Sequence, residues 1–428
     1  MKLCNAKHFA NASGIFRRLA LAVLALALVL VLPVAGGHWV GLPASVWLEF
    51  PPRQVMVQHA PYVWWVWLGL ALAILAAVLP VVWRVMRSTA HDADRRVRRP
   101  RPTCPAGAVS GRAGPPDPPR DSQNVNGGFV PEGQMSAVLA RLPAWGWFGL
   151  AWMLAAWVIA WSRFPVLAPI QHHTYVLVWT GYLVTIMALT QRRAGACLLT
   201  RRPAALAGLA ACSAVFWWGF EFLNRGVQNW FYQNLAGFAP FEYALMATLS
   251  FTTVLPAVLG THDWLVTMPR LTAGLENWFC IRFARPRLVG TAFALAGAVG
   301  LFFLPVFPNA LFPLLWLAPL ALLCGLLAAA GEATLFDDLG RGDWRTLVRL
   351  SLAALICGGF WEMWNMYSLA RWVYDVPYVG RFHIFEMPLL GFAGYGPFGW
   401  ECAAVAMVFG FWHPPSTPAC DKGGAGVP

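Results

Sequence analysis

The stretch Gly358, Gly359, Phe360, Trp361, Glu362, Met363, Trp364, Asn365, continuing through Arg371, Trp372, Tyr374, His383, Phe385 and Glu386, sets two carboxylates, an amide and several indoles among apolar segments. About 140 residues earlier the same order of residue types reads Trp218, Gly219, Phe220, Glu221, Phe222, Leu223, Asn224, then Asn229, Trp230, Tyr232, Phe241 and Glu242. Self-similarity over that distance implies an internal duplication with a paired polar centre.

Composition names the surroundings of that centre. Of 428 residues, 58% are hydrophobic, 12% are charged and 24 are tryptophan. Soluble chains run at roughly 45–50% apolar and about 25% charged, so the expectation is an all-α, polytopic transmembrane helical bundle. The net charge of +12 comes from arginines in short runs between apolar spans. That pattern orients a membrane protein and argues against a nucleic-acid partner. None of the nine cysteines falls in an expected external loop, so no disulfide framework is expected.

About ten spans are expected: 15–34, 62–85, 145–161, 174–190, 204–223, 241–259, 288–304, 311–330, 347–366 and 385–411. Each is long enough to cross a hydrocarbon core of about 30 Å at about 1.5 Å per residue, the last one interrupted by Gly391, Gly394, Gly396 and Pro397. The first reads as a retained anchor, its apolar run being long for a cleaved signal peptide. Arg192, Arg193, Arg201 and Arg202, and again Arg270, Arg282, Arg285 and Arg287, mark cytoplasmic loops. Both termini are then cytoplasmic, in a bacterial-type inner membrane.

The expected organisation is an N-terminal two-helix membrane unit (1–86), a disordered basic cytoplasmic linker (87–136), a first four-helix repeat (137–277), a second (278–412) and a disordered tail (413–428). The arginines of the linker suit anionic lipid head groups. Outside the central motif, Phe164, Pro165 and Val166 correspond to Leu304, Pro305 and Val306, and Trp179 to Trp316. Four spans per half is an even number, so the copies share one orientation and are related by an axis along the membrane normal, a parallel repeat.

Glu221 and Asn224 are three residues apart, as are Glu362 and Asn365, so each pair shares one helix face. Glu221 lies about 17 residues, roughly 25 Å, from the cytoplasmic start of its helix, in the outer leaflet. Glu242 and Glu386 are expected to begin the next helices at similar height. Four carboxylates would thus gather near the periplasmic side as proton-transfer groups. Asn224, Asn365, Trp230, Tyr232, Trp372, Tyr374 and His383 would line a site for a membrane lipid or other hydrophobic small molecule. Arg225, Arg371 and Arg381 could supply counter-charge, and Glu401 is the one acid expected deeper. A plain structural role, each Glu and Asn clamping its loop, stands beside that reading.

Pro240, Phe241, Glu242, Tyr243, Leu245 and Met246 resemble the Pro-x-Glu-Glu-x-x-Phe stretch of the membrane-embedded carotenoid (lycopene) cyclases, also duplicated helical proteins. Tyr243 stands where that family has its second carboxylate, Ile384 replaces the proline in the second copy, and those proteins repeat three helices. The resemblance implies Glu242, and by repeat Glu386, as proton donors in a cyclisation or rearrangement of an isoprenoid. A proton- or cation-coupled transporter and a membrane scaffold remain the alternatives. His172, His173 and His383 do not form two matched ligand pairs, so no metal is expected. No nucleotide or dinucleotide fingerprint occurs, so no cofactor is expected.

Overall fold

A computed structural model describes residues 2–52, 59–98, 141–235 and 237–414, with side chains except those of 2–13 and 90–98. Fifteen helices occur among the described residues: α1 (Lys2–Trp39), α2 (Ser45–Leu48), α3 (Trp64–Arg98), α4 (Ala144–Trp161), α5 (Ala168–Gln171), α6 (Thr174–Ala194), α7 (Leu198–Arg201), α8 (Pro203–Val227), α9 (Pro240–Phe251), α10 (Val254–Val266), α11 (Pro286–Phe303), α12 (Pro308–Leu311), α13 (Leu314–Ala330), α14 (Arg345–Met366) and α15 (Tyr395–Val408). Four short strands join them: β1 (Trp230–Gln233), β2 (Arg371–Tyr374), β3 (His383–Ile384) and β4 (Met387–Pro388). Among the described residues, eight segments are long and apolar enough to cross a membrane: Gly14–Trp39, Trp64–Thr89, Ala144–Trp161, Thr174–Ala194, Pro203–Val227, Pro240–Val266, Pro286–Phe303 and Arg345–Met366. The apolar α13 falls just short of that length.

The last expected span, 385–411, is the largest departure. Phe385 and Glu386 form the tight turn between β3 and β4, and the helix starts only at Tyr395. Its 14 residues rise about 21 Å, short of a hydrocarbon core of about 30 Å. A second departure lies at the linker: α3 stays helical to Arg98, inside the segment expected to be disordered. The rest of that linker, 99–136, and the tail from 415 lie outside the described residues.

Small residues set the closest helix contacts, as expected where side chains cannot gain from leaving water. A Cβ on Gly181 of α6 would stand 2.7 Å from the Met153 backbone of α4, and one on Gly297 of α11 would stand 2.7 Å from the Ala318 carbonyl of α13. α9 and α10 form one line broken at Thr252 and Thr253, since Pro256 has no N–H to return to the Thr252 carbonyl. The Ser213 hydroxyl of α8 accepts the Leu255 N–H at 3.0 Å and so satisfies a donor loosened by the break.

Arginines collect at one end of the bundle. Arg18 meets Glu332 at 2.8 Å, Arg345 meets Asp343 at 2.8 Å, and Arg193 reaches Thr267 at 2.8 Å. The C-terminal ends of α1, α8 and α14 lie at the other end, joined by the strands and by α2.

Candidate functional site

α8 ends where Gln228 takes a left-handed conformation (φ 54°), which turns the chain back into β1. The amide of Asn224 fixes that turn, donating to the Trp230 carbonyl at 2.9 Å and accepting the Asn229 N–H at 2.8 Å. Asn365 does the same at the end of α14, donating to the Trp372 carbonyl at 2.7 Å and accepting the Trp372 N–H at 2.8 Å. Both ends of each amide are thereby committed to backbone.

The two strands delivered this way pair antiparallel, Trp230 opposite Tyr374 and Tyr232 opposite Trp372. Alternation along a strand places these four aromatics on one face of the ribbon. From that face the Tyr232 hydroxyl donates to Glu221 Oε1 at 2.6 Å, and the Tyr374 hydroxyl donates to Glu362 Oε1 at 2.7 Å. Burial first, and then the carboxyl each one meets, push both phenols well above the ordinary tyrosine range. Both are therefore hydroxyl donors at neutral pH.

Beyond this shared pattern the two carboxylates differ. Glu221 Oε1 also accepts the indole N–H of Trp217 at 3.0 Å and of Trp230 at 3.2 Å. Glu362 Oε1 accepts the Tyr395 hydroxyl at 3.0 Å, while the Trp372 indole donates to the Tyr374 hydroxyl at 2.9 Å. Glu362 is fully buried and its Oε2 meets no partner. Glu221 instead lines two adjoining cavities. The larger, of about 390 Å³, lies between α8, α9 and the segment after α2, with Phe50, Trp218 and Phe222 as aromatic walls and Arg225, Ala244 and Thr248 beside them. The smaller, of about 210 Å³, continues from Glu221 and Arg225 toward Asn224, Trp230 and Tyr232.

Arg225 is one helical turn beyond Glu221, yet no ion pair closes between them. Its Nη1 donates instead to three carbonyls at the C-terminal end of α2: Val46 at 3.3 Å, Trp47 at 3.1 Å and Glu49 at 2.8 Å. Unsatisfied carbonyls at a helix end attract a cation, which explains where the guanidinium goes.

The other expected site residues lie apart from these cavities. Glu242, in the first turn of α9, is 41% exposed and stands 3.5 Å from His173. Glu386 sits in the β3–β4 turn and pairs with Arg371 at 3.1 Å. His383 is exposed on β3, opposite Pro388. Arg381 lies over the Tyr62 ring. Only Glu221, of the four carboxylates, lines either cavity. Glu401 is buried on α15, its Oε2 without a partner. No group of three metal-ligating side chains gathers among the described residues.

Three participants escaped the sequence reading. Trp217 carried a usable signal, because residues four apart on a helix face each other. Tyr395 carried none, since its approach to Glu362 depends on the space left by Gly358. The segment after α2 is far away in sequence and comes to the cavity through Arg225 and through Phe50, whose ring lies 6.1 Å from Trp218 and 5.6 Å from Tyr243.

The fold and site thus define a helical chain of membrane-crossing character with two buried carboxylates tied to one ribbon. Compared with protein-family models, with curated proteins and with solved structures, the chain matches none.

Proposed function

We infer that this is a multi-pass protein of a bacterial-type inner membrane, with both termini cytoplasmic, that binds an amphiphilic molecule in the cavity beside Glu221. The observation that carries the reading is that cavity: about 390 Å³, aromatic on its walls, with one carboxylate and one guanidinium on the same helix face. An apolar cleft with a few convergent polar groups is the form a small-molecule site takes. The arginine-rich end of the bundle supports a cytoplasmic assignment for that end and an outer-leaflet depth for the site.

The chain is read further as a parallel duplication of a four-helix unit. The register of the ribbon supports this, since Trp230 opposite Tyr374 and Tyr232 opposite Trp372 is the pairing that a twofold axis through Phe231 and Val373 would impose. Ring packing supports it independently. Trp179 lies 5.0 Å from Trp361, and Trp316, its counterpart, lies 4.8 Å from Phe220, the counterpart of Trp361.

In this reading Glu221 and Arg225 are the binding groups, and Asn224, Trp230 and Tyr232 hold them in place. Glu242, Glu386 and His383 stand outside the binding group. The test is purification of the full chain in mild detergent with mass spectrometry of its lipids, beside Ala244→Trp, which fills the cavity. One amphiphile class enriched over the bulk membrane, and lost in the Trp variant, is the expected result. Lipids of bulk composition in both proteins would refute the proposal.

A further inference from the structure

Glu221 and Arg225 are opposite charges four residues apart on one helix, a spacing that normally closes into an ion pair. Here each is held away from the other. The carboxylate has three donors on Oε1 alone, from Trp217, Trp230 and Tyr232, and the guanidinium has its Nη1 on three carbonyls of α2. Both residues line both cavities.

Glu49 adds a second carboxylate to the smaller cavity, but in the larger one Glu221 and Arg225 are the ionisable side chains of the lining, and two opposite charges kept apart there favour a ligand that carries the complementary pair, also kept apart. A single anion would meet Arg225 but face the carboxylate, and a single cation would meet Glu221 but face the guanidinium. Either would leave one charge of the site without an opposite charge, which is costly in a partly desolvated site. The free side of the carboxylate suits an ammonium, and the faces of Phe50, Trp218 and Phe222 add attraction for a cation and room for an acyl chain. A guanidinium suits a phosphate, because its fork donates to two oxygens at once.

We propose that the ligand is a zwitterionic amphiphile, with a primary ammonium bound at Glu221 and a phosphate bound at Arg225. This rests on the binding reading above and adds the chemistry of the head group. The second half of the chain is consistent with it: Met366 stands at the position matching Arg225, and Glu362 is fully buried with the Tyr395 hydroxyl upon it.

The experiment is a binding series followed by tryptophan fluorescence on the detergent-purified full chain. The probes are dihexanoyl phosphatidylethanolamine, its N-acetylated form, dihexanoyl phosphatidic acid, a simple alkyl ammonium and chain-free phosphoethanolamine. The first is expected to bind about 10-fold or more tightly than the three amphiphiles that lack one charge, the scale of one lost charge-assisted hydrogen bond. Phosphoethanolamine should compete, equally well if the natural ligand is the free compound and more weakly if it is the lipid. Glu221→Gln keeps an acceptor for the indoles and should bring the preference for the free ammonium close to 1, in part by strengthening phosphatidic acid binding, since the carboxylate that opposes a lone anion is gone. Equal binding of phosphatidylethanolamine and phosphatidic acid, or a preference that survives Glu221→Gln, overturns the head-group assignment. If the probes bind without such a preference and Ala244→Trp still blocks them, only this assignment falls. If no probe binds and Ala244→Trp changes nothing, the binding reading itself falls.

Discussion

Replacing Gly358 by alanine should destabilise the protein, while the same change at the next residue should not. A Cβ on Gly358 would lie 2.3, 2.4 and 2.6 Å from three ring atoms of Tyr395, against an ordinary contact of 3.4–4 Å, so the ring must retreat by about 1 Å or more. It has little room to do so. Its ring stacks on Trp361 at 6.0 Å, lies 5.9 Å from Phe392, and is anchored by its hydroxyl at Glu362. Overpacking costs about 1–3 kcal/mol, and parting a buried hydroxyl from its acceptor costs about 1–3 kcal/mol more. Alanine returns about 1 kcal/mol of helix propensity, for a net loss of about 1–5 kcal/mol. Gly359 has nothing within 4 Å of its would-be Cβ, so Gly359→Ala should be neutral or gain up to about 1 kcal/mol. Unfolding in detergent micelles, by heat or by dodecyl sulfate, measures the difference. Tyr395→Ala should cost less in the Gly358→Ala background than in the parent, a coupling that a double-mutant cycle isolates. Equal stability of the two alanine variants would refute the packing account of the Glu362 site.

Asn224→Ala and Asn365→Ala each remove two hydrogen bonds to backbone and should each cost about 2–4 kcal/mol in the same assay, with amide exchange rising in β1 and β2; a loss confined to the mutated half would show that the ribbon is not a shared element. Glu242→Gln and Glu386→Gln should each change stability by no more than about 0.5 kcal/mol and leave ligand retention intact, because each carboxylate is partly exposed and meets a single basic side chain, His173 or Arg371; a larger effect would place them in the site after all. Tyr232 and Tyr374 have folded-state values raised above the ordinary 10.0, so their contribution is complete below about pH 10 and is lost as pH rises past it. Spectrophotometric titration of the folded protein should therefore show no loss of tyrosinate signal near pH 10–11 in Tyr232→Phe or Tyr374→Phe, whereas a lost step would mean that those phenols are open to water.

Most of the helical layout was legible because membrane-length apolar runs and their flanking arginines are local signals. The last apolar run shows where that stops. The stretch 385–411 is apolar enough to read as a span, but Phe385 and Phe382 take left-handed backbone (φ 57° and 58°), and hairpin geometry is set by neighbours rather than by hydropathy. The faces of Glu221 with Asn224 and of Glu362 with Asn365 were legible for the same reason as the spans, since helix periodicity needs no partner. What they touch was not. That Tyr232 folds back onto Glu221 depends on a strand pairing with residues about 140 positions away, and that Arg225 turns from Glu221 depends on carbonyls of α2 about 180 positions away. Long-range partners of this kind leave no periodic trace.

On the proposed duplication, the differences between the two carboxylates come down to a few exchanged positions. Trp217 stands where the second half has Gly358, and each supplies Glu221 or Glu362 with a donor: the indole directly, the glycine by admitting the Tyr395 hydroxyl. Arg225 stands where the second half has Met366, so this position carries a charge only beside Glu221, which faces a cavity. The common part, Asn amides on backbone and tyrosines on carboxyls, is what a stable ribbon requires in both halves. The divergent part has no such purpose at Glu362, where the space is filled by a ring, but at Glu221 it leaves both a volume and two opposite charges that close no ion pair. Trp217→Gly separates these roles. It removes one donor from Glu221 and introduces no phenol to replace it, so ligand retention should fall while the ribbon, still held by Asn224 and Tyr232, keeps its slow amide exchange. If retention and exchange changed together, the carboxylate would be a strut of the ribbon and not a group held out to a ligand.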